Sequence, residues 1–356
     1  MTDKSKVIGI LGGGQLAKMT IDAAHKLGYK VHVFSDKDDS VAFKISDYKT
    51  KGAFSDLELI KSFAESVAVI TYEFENIPKD TVVFLEQNYN LRPNAKALEI
   101  CQKRNLEKTF VNMADIATAK FKTVSDIDDI EEFLSTYGSA ILKTNSLGYD
   151  GKGQYVLESV LDVAKIGDLD FAESDFIIEE KLDFESEISV LIARNSAGDI
   201  EVLPITRNFH EDGILDYTSY PSGLENDVLD RAREIAKKIA NLLDYIGILA
   251  VEIFVMPDNS LLVNELAPRP HNTGHWTIDA CNHSQFELFV LAITDQDLPE
   301  VVATHESGMV NLLGEEINNI EDLKQSSDII IHDYGKGDAK PGRKMGHYTI
   351  LRDALG

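Results

Sequence analysis

Two kinds of hydrophobic patterning divide the chain. In the first third, short apolar runs at residues 7–11, 30–34 and 67–74 have the length of strands buried on both faces. Between the first two, apolar residues from about 15 to 27 recur at helical spacing. Strands alternating with helices imply βαβ units and a parallel sheet. Arg92-Pro93-Asn94 interrupts that pattern, and one helix is expected from about 95 to 113. The middle reads differently. Residues 140–144, 154–157, 176–182, 187–194 and 201–208 are strand-like runs with short connections, which favour antiparallel pairing. A helix is expected over 227–243, strands over 249–256 and 260–266, and a helix over 285–293. Runs at 310–313, 328–332 and 347–351 make a small strand-rich end. The expected fold class is therefore α/β in front and α+β behind, in three parts: 1–95, 96–295 and 296–356.

Composition narrows the partners. The chain has 356 residues, 44% hydrophobic, with 35 basic and 60 acidic side chains and a net charge of −25. Such a field repels phosphate backbones and anionic lipids, so neither nucleic acid nor membrane is expected as a partner. A small anionic substrate in a locally positive pocket remains compatible. Cys101 and Cys281 are too few for a disulfide framework, and no signal-peptide core or long apolar run is present. A cytoplasmic protein is expected.

Several segments can carry chemistry. Gly12-Gly13-Gly14-Gln15-Leu16-Ala17 fits G-x-G-x-x-A between a strand and a helix, with Asp36 at the end of the next strand. Its backbone N–H groups suit a phosphate at a helix N-terminus, whether of a dinucleotide or of another ligand; a plain strand-to-helix turn also favours glycine. Lys143-Thr144-Asn145-Ser146-Leu147-Gly148-Tyr149-Asp150-Gly151-Lys152-Gly153-Gln154 joins two strands by a glycine-rich lid with two lysines, a phosphate-binding composition without Walker A spacing. An ordinary solvated turn is the alternative. With Asp258-Asn259 as a two-residue loop, Glu252 and Glu265 fall directly opposite each other on one face. Opposed like charges are destabilising unless neutralised, and a divalent cation such as Mg²⁺ would neutralise them. A longer turn would slip that register. Just beyond, Pro268-Arg269-Pro270-His271-Asn272 presents Arg, His and Asn from an extended segment, a set suited to phosphoryl oxygens. Pro341-Gly342-Arg343-Lys344 is a second basic turn, or simply a solvated one. Glu179-Glu180-Lys181-Leu182 ends a strand, either as a plain edge or as a hinge offering backbone groups to a base.

In this order, Gly12-Gly13-Gly14-Gln15-Leu16, Thr71-Tyr72-Glu73-Phe74-Glu75-Asn76, Gly148-Tyr149-Asp150-Gly151-Lys152-Gly153-Gln154, Asn264-Glu265-Leu266-Ala267-Pro268-Arg269-Pro270-His271-Asn272 and Pro341-Gly342-Arg343-Lys344 resemble the N5-carboxyaminoimidazole ribonucleotide synthase family. The motifs span nearly the whole chain; the last three are specific and the glycine loop is not. The resemblance implies an ATP-grasp fold with an N-terminal Rossmann-like pre-grasp domain and a small C-terminal domain. It implies an ATP-dependent ligase of purine biosynthesis. ATP phosphorylates bicarbonate to carboxyphosphate, and the amine of 5-aminoimidazole ribonucleotide is carboxylated, with Mg²⁺ as cofactor and a homodimer as the assembly.

The same resemblance distributes roles. ATP would be held by Arg104, Lys143, the loop Gly148, Gly151, Lys152, Gly153 and Gln154, then Glu179, Glu180, Lys181, Leu182, Glu187 and His210, with Asn264 and Glu265. Glu252 and Glu265 would hold the metal. Arg269, His271, Asn272 and Lys344 would hold carboxyphosphate and CO₂, and Tyr149 and Asp150 would face the aminoimidazole, Asp150 accepting from its amine. Gly14, Gln15, Leu16, Glu73, Asn76 and Arg343 would bind the ribonucleotide. Two departures stand out: Asn145 and Leu147 where the family usually has Arg and Gly, and Ala17-Lys18 where Gly-Arg is common. A nicotinamide-dependent dehydrogenase explains the glycine loop and Asp36 but not the paired glutamates or the basic turn. A non-catalytic nucleotide-binding protein needs no metal pair. A sister ATP-grasp ligase with another acid and amine is set aside only by the resemblance at Arg343-Lys344.

Overall fold

The computed structural model describes residues 4–146, 153–167, 169, 171, 175–211 and 213–355. In front, β1 (Val7–Leu11), β2 (Lys30–Ser35), β3 (Tyr48–Lys51) and β4 (Val69–Tyr72) form a parallel sheet in the order β3-β2-β1-β4. All five residues of β1 are buried, as expected for a central parallel strand covered on both faces. One face packs on the helix Gln15–Lys26, which in turn meets the helix Gln285–Ile293. The other, which carries Phe34, packs on Ile60 and Phe63 of the helix Leu57–Glu65. Connections leave β1 in opposite directions, so a crevice opens at the C-terminal ends of β1 and β4.

The helix expected over 95–113 is two helices, Ala95–Cys101 and Arg104–Met113. Lys103 between them is extended, with φ −130° and ψ 117°. A distant side chain secures the break: Arg104 N–H donates to the Asn145 carbonyl and Asn105 N–H to Asn145 Oδ1, both at 2.9 Å. The second helix thus starts where Asn145, distant in sequence, supplies its cap.

β5 (Phe121–Val124), β6 (Ala140–Thr144), β7 (Gln154–Leu157) and β8 (Phe176–Glu180) form an antiparallel sheet in the order β5-β8-β6-β7. The helix Ile127–Tyr137 buries Ile130, Phe133 and Leu134 against it. The third sheet has nine strands: β9 (Ser186–Arg194), β10 (Ile200–Val202), β11 (Thr206–Glu211), β12 (Ile214–Tyr220), β13 (Gly247–Val255), β14 (Leu261–Ala267), β15 (His305–Leu313), β16 (Ile329–Asp333) and β17 (Lys344–Ala354). The strand expected over 201–208 is split, because Pro204 has no N–H for the ladder. β10 pairs with residues 192–194 of β9 and β11 with residues 187–189. The strand-rich end makes no sheet of its own; β15 pairs with β12 and extends the central sheet. Among the described residues, no helix is long and apolar enough to cross a membrane.

Candidate active site

The β13–β14 hairpin places the acidic pair. Glu252 and Glu265 are cross-strand partners, as the residue pattern predicts, but by another route. The loop has three residues, not two: Met256 N–H donates to the Ser260 carbonyl at 2.9 Å, and Asn259 adopts φ 64°. That longer loop alone would slide the register by one. A β-bulge between Glu252 and Ile253 restores it, with Asn264 as the extra residue. Asn264 Nδ2 then donates to Glu187 Oε1 at 3.1 Å, and Glu187 Oε2 lies 3.1 Å from His210 Nδ1. Burial, then Glu187, then Glu265 push the Glu252 carboxyl well above the ordinary carboxylate range, while Lys344 pulls it down. Three carboxyl groups thus crowd one spot.

These groups open on a cleft of about 600 Å³. The start of the helix Gln15–Lys26 contributes Gln15 and Leu16, and the segment after β4 Glu73 and Asn76; the small sheet and its adjoining helix contribute Arg104, Lys143 and Gln154. The large sheet contributes Glu187, His210, Glu252, Asn264, Glu265 and Lys344, and Arg269, His271 and Asn272 also line the cleft. Arg104 Nη1 lies 3.3 Å from Glu265 Oε2, and Arg269 Nε lies 2.7 Å from Glu75 Oε1. His271 is held by its N–H to Gln285 Oε1 and by Nδ1 to Thr273 Oγ1, both 2.8 Å. Burial first, then Arg269 and Lys344, hold its ring well below the usual histidine range, so it is neutral at pH 7. Both side-chain polar atoms of Asn272 are buried without a hydrogen-bond partner among the described residues, which marks them for a ligand.

Other expected residues stand beside or behind the wall. Glu179 lies behind Lys143, with Oε2 at 2.8 Å from Lys143 Nζ and 3.3 Å from Lys108 Nζ. Burial alone would raise its carboxyl, but Lys143, Lys108 and Arg104 bring it to about 2. Its Oε1 is buried and unpartnered among the described residues. Glu180 N–H donates to the Lys120 carbonyl, Lys181 pairs with Glu158, and Leu182 follows half-buried. Gly153 pairs with Thr144 at the base of the lid. Arg343 reaches the Asp338 carbonyl, away from the lining. Gly148, Tyr149, Asp150, Gly151 and Lys152 lie outside the described residues.

The glycine loop has an unexpected occupant. Glu73 accepts from the N–H groups of Gly14 and, at 2.9 Å, of Ala17. A carboxylate of the chain itself thus takes the helix N-terminus that the motif offers to a phosphate. Gly12 is glycine for the same reason: it has φ 108°, and a Cβ there would lie 2.3 Å from Glu73 Cγ.

The chain is similar to known proteins over nearly its whole length. Family models described as the ribonucleotide synthetase preATP-grasp domain, the ATP-grasp domain and the phosphoribosylaminoimidazole carboxylase C-terminal domain match residues 5–102, 109–286 and 307–355. The N5-carboxyaminoimidazole ribonucleotide synthase of Bacillus subtilis (strain 168) is 37% identical over 348 residues, covering 97% of this chain and 91% of that protein. The chain belongs to the N5-carboxyaminoimidazole ribonucleotide synthase family. The bifunctional purine synthesis protein purC/E of Dictyostelium discoideum is 42% identical over 364 residues, and the match covers 96% of this chain but only 36% of that longer protein. A solved N5-carboxyaminoimidazole synthase from Aspergillus clavatus, in complex with ADP and 5-aminoimidazole ribonucleotide, superposes with a TM-score of 0.90 at 26% identity, covering 98% of this chain and 94% of that one.

The N5-carboxyaminoimidazole ribonucleotide synthase fold brings in two residues that the motifs do not reveal. Glu107 lines the cleft and accepts from the Leu266 N–H at 2.7 Å; burial and then Glu265 push its carboxyl up to about 8. Lys108, 2% exposed at its side chain, pairs with Glu179 and donates to the Asn264 carbonyl at 3.2 Å. A signal was present: Arg104, Glu107, Lys108 and Val111 share one helix face, and that face is inward. The departure at Asn145 also has a structural role, since Asn145 is the residue that caps the helix Arg104–Met113.

Proposed function

We infer that the chain catalyses ATP-dependent carboxylation of 5-aminoimidazole ribonucleotide to N5-carboxyaminoimidazole ribonucleotide, as its family does. The observation that carries the reading is one cleft with Glu187, Glu252 and Glu265 crowded together and Arg104, Lys143, Arg269 and Lys344 around them. Acidic groups suit a cation and basic groups suit phosphates.

In this reading a bicarbonate oxygen attacks the γ-phosphorus of ATP and ADP leaves, forming carboxyphosphate. Its C–O bond to the phosphoryl group then breaks to give CO₂ and phosphate. The aminoimidazole amine bonds to CO₂ and loses a proton. Arg104 and Lys143 orient the triphosphate. Arg269, neutral His271, Asn272 and Lys344 surround the bicarbonate-derived group and exclude water. Glu252 and Glu265 fit Mg²⁺ by their chemistry: a divalent cation would offset the crowding of carboxyl groups that raises Glu252. When bound, Mg²⁺ offsets phosphate charge. Tyr149 and Asp150 face the amine in this proposal, and Gln15, Leu16, Glu73 and Asn76 the ribonucleotide. The division at 1–95, 96–295 and 296–356, a homodimer and a cytoplasmic location belong to the same reading.

The test is phosphate release from Mg-ATP in bicarbonate buffer with and without 5-aminoimidazole ribonucleotide. Strong stimulation with matched N-carboxylated product is expected. Folded, ATP-binding protein without stimulation would overturn the assignment of the acceptor.

A further inference from the structure

Outside the cleft lining, three potential metal ligands converge. Asp279 lies on the short helix Thr277–Ala280, while His332 on β16 and His347 on β17 are direct cross-strand partners. His332 Nε2 is 2.9 and 3.0 Å from the two Asp279 carboxylate oxygens. The two imidazoles are stacked, with centroids 4.5 Å apart and planes at 13°. One ligand-capable atom from each of the three residues lies within 4.8 Å of the other two. His347 is fully buried, and its Nδ1 lies 2.9 Å from the Tyr334 hydroxyl. Its Nε2 is buried too and has no hydrogen-bond partner among the described residues. An orphaned ring nitrogen beside a histidine–carboxylate pair needs an occupant.

We propose that Asp279, His332 and His347 form a site for a divalent transition-metal ion such as Zn²⁺, distinct from the carboxylate pair of the cleft. Two imidazole nitrogens and one carboxylate oxygen are a borderline-soft donor set, which favours Zn²⁺ over Mg²⁺. Three protein ligands leave a fourth position for water. The Tyr334 hydroxyl on Nδ1 fixes the orientation of the His347 ring, as outer partners of metal-bound histidines do. His332, with 26% of its side chain exposed, provides the entry path. Ligand atoms around a tetrahedral zinc stand about 3.3 Å apart, so the pair Asp279–His332 is already close enough; His347 must close by about 1.5 Å at most, and the partly exposed His332 ring must turn out of its stack so that both in-plane lone pairs meet the ion. An ion here ties the segment after His271 and Asn272 to the C-terminal strands. His275, which lines the cleft, has its ring centroid 5.0 Å from that of His347.

The test uses the full chain carrying Glu265→Gln, stripped with chelator and held in excess Mg²⁺ so that the cleft does not compete. Titration with ZnCl₂ by calorimetry, and with CoCl₂ by visible absorption, is expected to give one ion per chain, Co²⁺ showing the strong bands of a low-coordinate site. His332→Ala and Asp279→Asn are each expected to weaken binding by about 100-fold or more, and Tyr334→Phe by about 10–100-fold. Should the buried His347→Gln fail to fold, the partly exposed His332→Ala, checked by unfolding in metal-free buffer, carries the test. The absence of stoichiometric Zn²⁺ and Co²⁺ binding overturns the site, as does undiminished binding by folded His332→Ala.

Discussion

Two buried charge clusters beside the cleft differ in how they are balanced. On one side, Lys108 and Lys143 flank Glu179, and the opposite charges meet within the fold. On the other, Glu187, Glu252 and Glu265 lie together; Arg104 reaches Glu265, and the raised Glu252 carboxyl records a charge with too little compensation. The first cluster is structure that a phosphate can exploit. The second leaves a carboxyl that its neighbours do not balance, and in the proposed function a cation completes it. A buried ion pair shows how a fold tolerates charge; a buried like-charged group shows where a ligand belongs.

That contrast can be broken most sharply at Glu265. Glu265→Gln is expected to lower ATP turnover by about 10³-fold while leaving the circular dichroism and the melting temperature near wild type. Turnover within tenfold of wild type would remove the metal pair. Glu179→Gln attacks the other side and should act on stability instead. It leaves Lys108 and Lys143 buried without their carboxylate, at a cost of about 3–5 kcal/mol in urea unfolding. A smaller effect would mean that the lysines find water.

Acid titration separates the clusters further. The Glu179 carboxyl in the folded chain lies near 2, below its ordinary 4.5, so its contribution is full above pH 4.5 and is lost as pH falls towards 2. The loss is on the order of 3 kcal/mol, and Glu179→Gln should lack that slope when unfolding is followed across pH 2–5. The smallest expected effect is at the bulge. Asn264→Ala removes the donor to Glu187, and the Mg²⁺ concentration for half-maximal activity should rise about tenfold. An unchanged Mg²⁺ requirement would separate the bulge from the cation.

How much of this was legible varies with distance along the chain. The helix Gln285–Ile293 matches its apolar pattern to the residue, because Ser284 and Glu287 form a capping box at its start. The Glu252–Glu265 pair was readable too, although a longer loop and a bulge each moved the register and cancelled. The break at Lys103 was hidden because its reason, Asn145, lies in another element. Lys108 escaped notice because a lysine at a helical position suggests solvent until the strand carrying Glu179 is known to lie against it.

Alone, the sequence determined most strands, a minority of the helices, and the hairpin that opposes two glutamates. These follow from backbone periods and turn chemistry, which act over a few residues. Tertiary structure decided which distant groups meet. Glu73 caps a glycine 59 positions away, Lys143 meets Glu179 across 36, and Arg104 meets Glu265 across 161. Packing three sheets around one cleft removes these groups from water, and each charge must then find a partner in the chain or in a ligand.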